Sequence, residues 1–188
     1  MGVMLKKFKN KIQHILGKQT DLQDIDFENQ NIILDNKEYL FCRGVVSAIP
    51  EMLSVERAVY NGKTPIDYGF FEKQVQNQTQ NLVLLVRFED QVVAYVICSY
   101  SFNEAKIKDI AIVPRFQGKG IATKMIQIII NEAKKYGSEK VLLDVRQSNL
   151  QGQKFYHDLG FKETRIKHHY FADNDENAYE YEYQIKGE

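Results

Sequence analysis

Gln117-Gly118-Lys119-Gly120-Ile121-Ala122-Thr123 joins a β-rich run, residues 105–113, to the strongest helical pattern in the chain. After Pro114 the apolar residues Ile121, Met125, Ile128, Ile129, Ala133 and Tyr136 share one helical face, and Gly137 supplies a stop. A strand that runs through such a loop into a helix turns unpaired N–H groups and the positive end of the helix dipole toward any anion present. Glycine lets the backbone approach a phosphate and Lys119 adds a cation, although any strand-to-helix turn can use glycine for its positive φ. Phosphate binding is the favoured reading of two glycines around a lysine in this position. A nucleotide-hydrolysing P-loop needs a Gly followed by four residues and Gly-Lys-Ser/Thr, and this stretch lacks it. A dinucleotide fingerprint is met at Gly118 and Gly120, but Thr123 replaces its last glycine. Asp144 lies near the distance of a ribose-binding acid, yet the motif starts at residue 117 and leaves only about 70 residues, too few for the βα units of that fold. A coenzyme A site is the third phosphate-binding reading.

Outward from the loop, residues 82–88, 91–99 and 105–113 read as an antiparallel meander, the first two joined by Glu89-Asp90. Upstream, residues 31–34 and 39–45 flank Asp35-Asn36-Lys37 and predict a hairpin. Helices are expected over 48–59 and 65–75, the second with Thr64 as N-cap and Pro65 in its first position. Downstream come a strand at 141–146, a helix at 149–159 capped by Asn149 and ended by Gly160, and strands at 162–168 and 179–185. The order is α+β, with helices interrupting a largely antiparallel sheet. Residues 5–16 place Leu5, Phe8, Ile12, Ile15 and Leu16 on one face among four lysines, a basic amphipathic helix, and Asp21, Asp24, Asp26 and Glu28 form an acidic linker. The expected organisation is an N-terminal extension, 1–38, that includes the start of the hairpin, and one domain, 39–188.

A chain of 188 residues suits a single domain. Its 25 Lys and Arg cancel its 25 Asp and Glu, so no overall positive field draws it to nucleic acid or an anionic membrane. Cys42 and Cys98 are too few for a disulfide framework, and a reducing, cytoplasmic setting is expected. The longest apolar stretches, such as Leu82 to Val86, fall far short of the ~18 residues of a membrane span. The lysine-rich start has no apolar signal-peptide core. The four histidines show no metal-ligand spacing, so no metal is expected. The oligomeric expectation is a monomer or weak dimer.

Gln117, Gly120 and Ala122 fit Gln/Arg-x-x-Gly-x-Gly/Ala, the cofactor loop of the GNAT acetyltransferases, and the resemblance continues beyond it. Glu104-Ala105, Asp109-Ile110-Ala111-Ile112 with Pro114, Leu143-Asp144-Val145-Arg146 with Asn149, and Phe155-Tyr156 with Gly160-Phe161 resemble the bacterial ribosomal-protein-alanine N-acetyltransferases. Ile49-Pro50-Glu51-Met52 and Glu56-Arg57-Ala58 resemble the first helix of that group. The resemblance spans about residues 40–185 and implies a GNAT-type acyl-CoA N-acyltransferase fold, a mixed, mostly antiparallel twisted sheet flanked by helices. In it the strands at 105–113 and 141–146 run parallel and splay. It further implies direct attack of an amine on acetyl-CoA in a ternary complex. Pantetheine would pair with the backbone of Ile110, Ala111, Ile112 and Val113, and pyrophosphate would sit on Gly118, Lys119, Gly120, Ile121, Ala122 and Thr123 after Gln117. Asn149 would hold the pantetheine arm.

By the same resemblance Tyr156 protonates the departing thiolate, a phenol of ordinary pKa ~10 beside a thiol of ~8.5. Without the resemblance Tyr156 would read as a core tyrosine beside Phe155. Asp144 stands where the group has a general-base Glu; it is one methylene shorter, and a bridging water would restore its reach. An ordinary alternative pairs Asp144 with Arg146, two residues on and on the same strand face. Glu104, Tyr170 and Phe171 would border the acceptor, with Phe171 replacing a tyrosine of the resembling group. The resemblance implies a protein N-terminal α-amine of the ribosomal-protein type as acceptor, and obtaining its neutral form near pH 7 costs about 3.4 kcal/mol less than for lysine. The alternatives are a small amine such as a polyamine or aminoglycoside, which the acidic loop Asp173, Asp175 and Glu176 would suit, or a non-catalytic module that binds coenzyme A or a dinucleotide.

Overall fold

Eight strands form one sheet in the order β1-β2-β3-β4-β5-β6-β8-β7 in the computed structural model, which describes residues 25 and 27–185. In chain order these are β1 (Gln30–Leu34), β2 (Lys37–Arg43), β3 (Asn81–Phe88), β4 (Gln91–Tyr100), β5 (Ala105–Ile112), β6 (Lys140–Arg146), β7 (Lys162–Phe171) and β8 (Glu176–Gln184). Four α-helices flank them: α1 (Ile49–Val59), α2 (Tyr68–Gln76), α3 (Ile121–Tyr136) and α4 (Leu150–Asp158). Every strand pair is antiparallel except β5 and β6. This is the mixed α+β sheet that the sequence predicts, with strands 105–113 and 141–146 parallel, and it is not the repeated βα order of a dinucleotide fold. The amphipathic helix at 5–16 and the acidic linker, Glu28 apart, lie outside the described residues.

The turns follow the residues that tolerate left-handed backbone. Asp35 and Asn36 (φ 49° and 56°) close the β1–β2 hairpin, and Glu89 and Asp90 (φ 47° and 65°) close β3–β4. Gly137 (φ 87°) ends α3 by donating to the Lys134 carbonyl. The predicted start of α2 is corrected: Thr64 and Pro65 precede the helix, which begins at Tyr68. Asp67, in extended conformation, caps it by accepting a 2.8 Å bond from the Phe70 N–H. A carboxylate placed to reach the third N–H outcompetes the Thr-Pro pair upstream.

Two apolar layers cover the sheet. On one face Ile121, Met125, Ile129 and Ala133 of α3 and Tyr156 of α4 pack on Leu84, Val96, Ile107 and Leu143. On the other, Ile49, Met52 and Val55 of α1 and Phe71 and Val75 of α2 pack on Val83, Leu85, Tyr95 and Ala111. Ile25 and Phe27, ahead of β1, are buried in the first layer. The expected boundary at 38/39 therefore falls inside a hairpin whose first strand belongs to the sheet. Among the described residues no helix is long and apolar enough to cross a membrane.

Candidate active site

β5 pairs with β6 at Ala105↔Val141 and Lys106↔Leu142 and no further, so the two parallel strands part before β5 ends. A bulge in the β4–β5 ladder lies at the same level: Ile97 faces Asp109 and Cys98 faces Ile107, which leaves Lys108 as the extra residue. A bulge exchanges the faces of the side chains beyond it. Ala105 and Ile107 thus pack under α3, whereas Ala111 packs with α1 and α2. The expected pantetheine strand, Ile110 to Val113, follows the bulge, where β5 has no β6 partner for its outer backbone groups.

The strand leads into the glycine loop. Gly118 (φ 73°) and Gly120 (φ 82°) are left-handed, and Gly120 is the N-cap of α3 with no side chain capping the helix and no acidic residue in its first turn. The opening N–H groups of a sixteen-residue helix, at Ile121, Ala122 and Thr123, are thereby left for an anion. Gln117 holds the loop from behind by donating to the Ile112 carbonyl (3.0 Å). Lys119 pairs with Asp35 of the β1–β2 turn at 3.2 Å, so this cation is shared with the hairpin. Asn149 caps α4, its side-chain oxygen accepting from the Gly152 N–H at 2.9 Å. A Cβ at residue 152 would lie 2.5 Å from the Asn149 amide nitrogen, which explains the glycine there.

Asp144 does not pair with Arg146. One of its oxygens accepts from Lys167 (2.7 Å), and the other accepts from the Tyr170 hydroxyl (2.9 Å) and forms an ion pair with Lys106 (2.7 Å). Burial pushes this carboxyl up, but the two lysines and the tyrosine outweigh it and hold it below the ordinary range. Arg146 instead binds Asp173 (2.9 Å) and Glu176 (3.2 Å) and lies 3.9 Å over the Phe171 ring. A phenylalanine in place of tyrosine thus supplies the ring face on which Arg146 rests. Asp175 lies 2.8 Å from His169, and hydrogen bonds from Ser148 first, then Asn174, hold Glu176 down to about 2. Glu104 sits at the start of β5, away from the loop, where its charge acts on Lys140. Tyr170 and Phe171, with rings 5.1 Å apart, are brought to Asp144 and Arg146; Glu104 is not.

Tyr156 is buried against Phe155, Phe161 and Tyr181. Burial first, and then the charge of Asp109, keep its hydroxyl protonated well above the ordinary tyrosine range. Asp109 was not among the expected site residues. It lies past the last β5–β6 pair, and the Tyr95 hydroxyl reaches both its Oδ2 and, at 2.6 Å, Oε1 of the wholly buried Glu56. Burial, reinforced by the Glu56 charge and opposed by the Tyr95 bond, raises Asp109 to about 7. Burial likewise raises Glu56. The available sequence signal was polarity out of place: a carboxylate and a tyrosine inside β-rich apolar runs. Among the described residues no group of three His, Cys, Asp or Glu is placed to hold a metal ion.

Residues 48–161 match the family model described as "Acetyltransferase (GNAT) family". The chain belongs to the GNAT acetyltransferase family. It is 36% identical over 83 residues to the [Ribosomal protein bS18]-alanine N-acetyltransferase of Haemophilus ducreyi, a match that covers 44% of this chain and 57% of that protein. The chain thus spans little more than half the length of that relative. It is 26% identical over 156 residues to an N-alpha-acetyltransferase of Sulfurisphaera tokodaii, covering 76% of this chain and 91% of that protein. The crystal structure of the ribosomal-protein-S18-alanine N-acetyltransferase from Escherichia coli superimposes with a TM-score of 0.70 at 23% identity, over 80% of this chain and 97% of that one. At that identity the likeness is one of fold, and it is the GNAT fold.

Proposed function

We propose that this GNAT protein transfers acetyl from acetyl-CoA to an amine, and that its acceptor is a protein N-terminal α-amine. The observation that carries the reading is the parting of β5 and β6 directly ahead of the uncapped N-terminus of α3. An open strand edge suits the amides of pantetheine, and N–H groups with no carboxylate among them suit a pyrophosphate. When bound there, acetyl-CoA supplies the acyl group as a thioester. The residues of the chain orient it and manage protons: Gln117 to Thr123 hold the phosphates, Ile110 to Val113 align the arm, and Tyr156 keeps a proton ready for the leaving sulfur.

The names of two relatives, a ribosomal-protein-alanine and an N-alpha-acetyltransferase, support an α-amine acceptor. The case for a polyamine weakens, because Asp173 and Glu176 are already paired with Arg146 and Asp175 with His169. An extended peptide terminus would depend on its first few residues, whereas a polyamine would depend on charge and salt. A thiol-release assay across free N-terminal peptides, terminally capped lysine peptides and spermidine tests the choice. Free-terminus peptides are expected to react fastest; faster reaction of capped lysine peptides or spermidine overturns the acceptor assignment. In the same assay Tyr156→Phe is expected to lower kcat far more than it raises KM for acetyl-CoA, since its proton is needed only as sulfur leaves.

A further inference from the structure

Tyr95 has a single hydroxyl hydrogen, yet its oxygen lies 2.6 Å from Glu56 Oε1 and within hydrogen-bond reach of Asp109 Oδ2. With both carboxyls ionised, one of these contacts sets oxygen against oxygen with no hydrogen between. A proton added to either carboxyl removes the conflict. Glu56 is wholly enclosed and its Oε2 makes no hydrogen bond, while Asp109 is only half-buried, so a proton from outside arrives at Asp109. Once protonated, Asp109 donates to Tyr95 and Tyr95 donates to Glu56. The trio is arranged to receive a proton at its accessible end.

That end faces the opening where chemistry would occur. Asp109 follows the last β5–β6 pair, and the bulge at Lys108 turns it toward the α1–α2 side. Burial raises both Tyr156, which comes from α4, and Tyr60 at the end of α1, and the Asp109 charge adds to the rise in each. Building on the acetyl transfer proposed above, we infer that Asp109 accepts the proton of the acceptor amine, with Tyr95 and Glu56 as its positioning residues. Asp144 is a poor competitor, since Lys106, Lys167 and Tyr170 occupy both of its oxygens. In the step, an N–H bond of the ammonium breaks and its proton goes to Asp109. The freed lone pair forms the C–N bond to the acyl carbon, the C–S bond breaks, and sulfur takes the proton of Tyr156. The acylated nitrogen gives up its second proton to the Tyr156 phenolate, which restores Tyr156, and Asp109 passes its proton to solvent, one net proton being released. An acid kept protonated and a carboxyl raised to about 7 across one opening is the division of labour such a step needs.

The groups facing Asp109 are Tyr95 from β4, Glu56 and Tyr60 from α1, and Tyr156 from α4. On its own strand Lys106 turns to Asp144 and Lys108 to Gln74 of α2, while Arg146 of β6 is bound to Asp173 and Glu176. Neutralising Glu56 removes a charge that raises Asp109, and removing the Tyr95 hydroxyl removes a bond that lowers it. The two changes must therefore move the acid limb of kcat/KM in opposite directions: Glu56→Gln to lower pH and Tyr95→Phe to higher pH. Asp109→Asn is expected to lose the acid limb and about 100-fold or more in kcat, with acetyl-CoA binding unchanged by calorimetry. Infrared titration of the carboxyl band in the free protein should lose a component near pH 7 in that variant alone. If the wild type turns over but Asp109→Asn stays within threefold of it, or the acid limb is unmoved in both other variants, the assignment of Asp109 is overturned and acetyl transfer stands. If the wild type acetylates no amine, the function and the assignment fall together.

Discussion

Asp144 and Asp109 are both carboxyls on the central strands, and their surroundings push them in opposite directions. Asp144 is held below the ordinary range, so it adds stability above its unfolded pKa of ~3.9, and that stability is lost as pH falls through the folded value. Asp144→Asn leaves Lys106 and Lys167 facing a neutral amide. Both lysines keep Glu180 as a partner, Lys167 at 2.7 Å and Lys106 at 3.7 Å, and their side chains are 20% and 25% exposed, so a cost of about 1–3 kcal/mol is expected rather than that of a fully buried pair. Urea melts should show this loss at pH 7 and its disappearance in acid; a loss that persists below pH 3 would mean that packing, not charge, is responsible. Asp109 is raised to about 7, so folding favours its protonated form. The stability this contributes is whole below ~3.9 and drains away as pH rises toward 7. Asp109→Asn should therefore melt about 2–5 °C higher than wild type at pH 8 and level with it near pH 4. A residue that costs stability at working pH and gains it on substitution is the signature of a group kept for chemistry.

At the scale of elements, the phosphate loop depends on backbone geometry rather than side-chain identity. Gly120 sits at φ 82° with no atom nearer to its would-be Cβ than Leu34 Cδ2 at 4.0 Å, so steric room is not what demands glycine. The left-handed backbone demands it, at about 1–2 kcal/mol for a residue with a Cβ. Gly120→Asp adds to that strain a negative charge where α3 offers its N–H groups. Calorimetry should show acetyl-CoA binding weakened at least tenfold, with the weakening partly relieved in high salt; unaltered affinity would move the pyrophosphate away from α3. These elements were legible because they obey local rules: the α3 periodicity, the Asn149 cap and the Asp35-Asn36 turn each depend on residues close in sequence. The cap of α2 was missed because Thr64-Pro65 and Asp67 both carry start signals, and only the chain path decides between them. The site was less legible than the fold. Asp144 takes its partners from 38 and 23 positions away, Lys106 and Lys167, and no spacing rule anticipates them. The Glu56–Tyr95–Asp109 contact exists because α1 lies across β4 and the β5 bulge turns Asp109 to that face.

For the molecule as a whole, the open question is where the folding unit begins, and the β1–β2 hairpin provides the means to answer it. Residues 1–38 read as an extension because charge changes sign along them and the resemblance to relatives starts near residue 40. Yet Ile25 and Phe27 are buried beside Tyr39 and Phe41, and β1 pairs with β2 from Gln30↔Phe41 to Leu34↔Lys37. The Arg43 guanidinium ties this approach to the sheet by donating to the carbonyls of Ile25, Gln78 and Asn81. Burying Ile25 and Phe27 is worth roughly 3–6 kcal/mol together, against a typical total stability of roughly 5–15 kcal/mol. A chain started at residue 39 forfeits that burial and leaves β2 as an unprotected edge with Tyr39 and Phe41 open to water. It also loses Asp35, the partner of Lys119. The 39–188 fragment is therefore expected to unfold at a lower urea concentration than the full chain, with a smaller m-value because less surface is buried. It should also aggregate on warming. Equal midpoints and m-values for the two chains would place the start of the folding unit at residue 39 and make the hairpin an appendage.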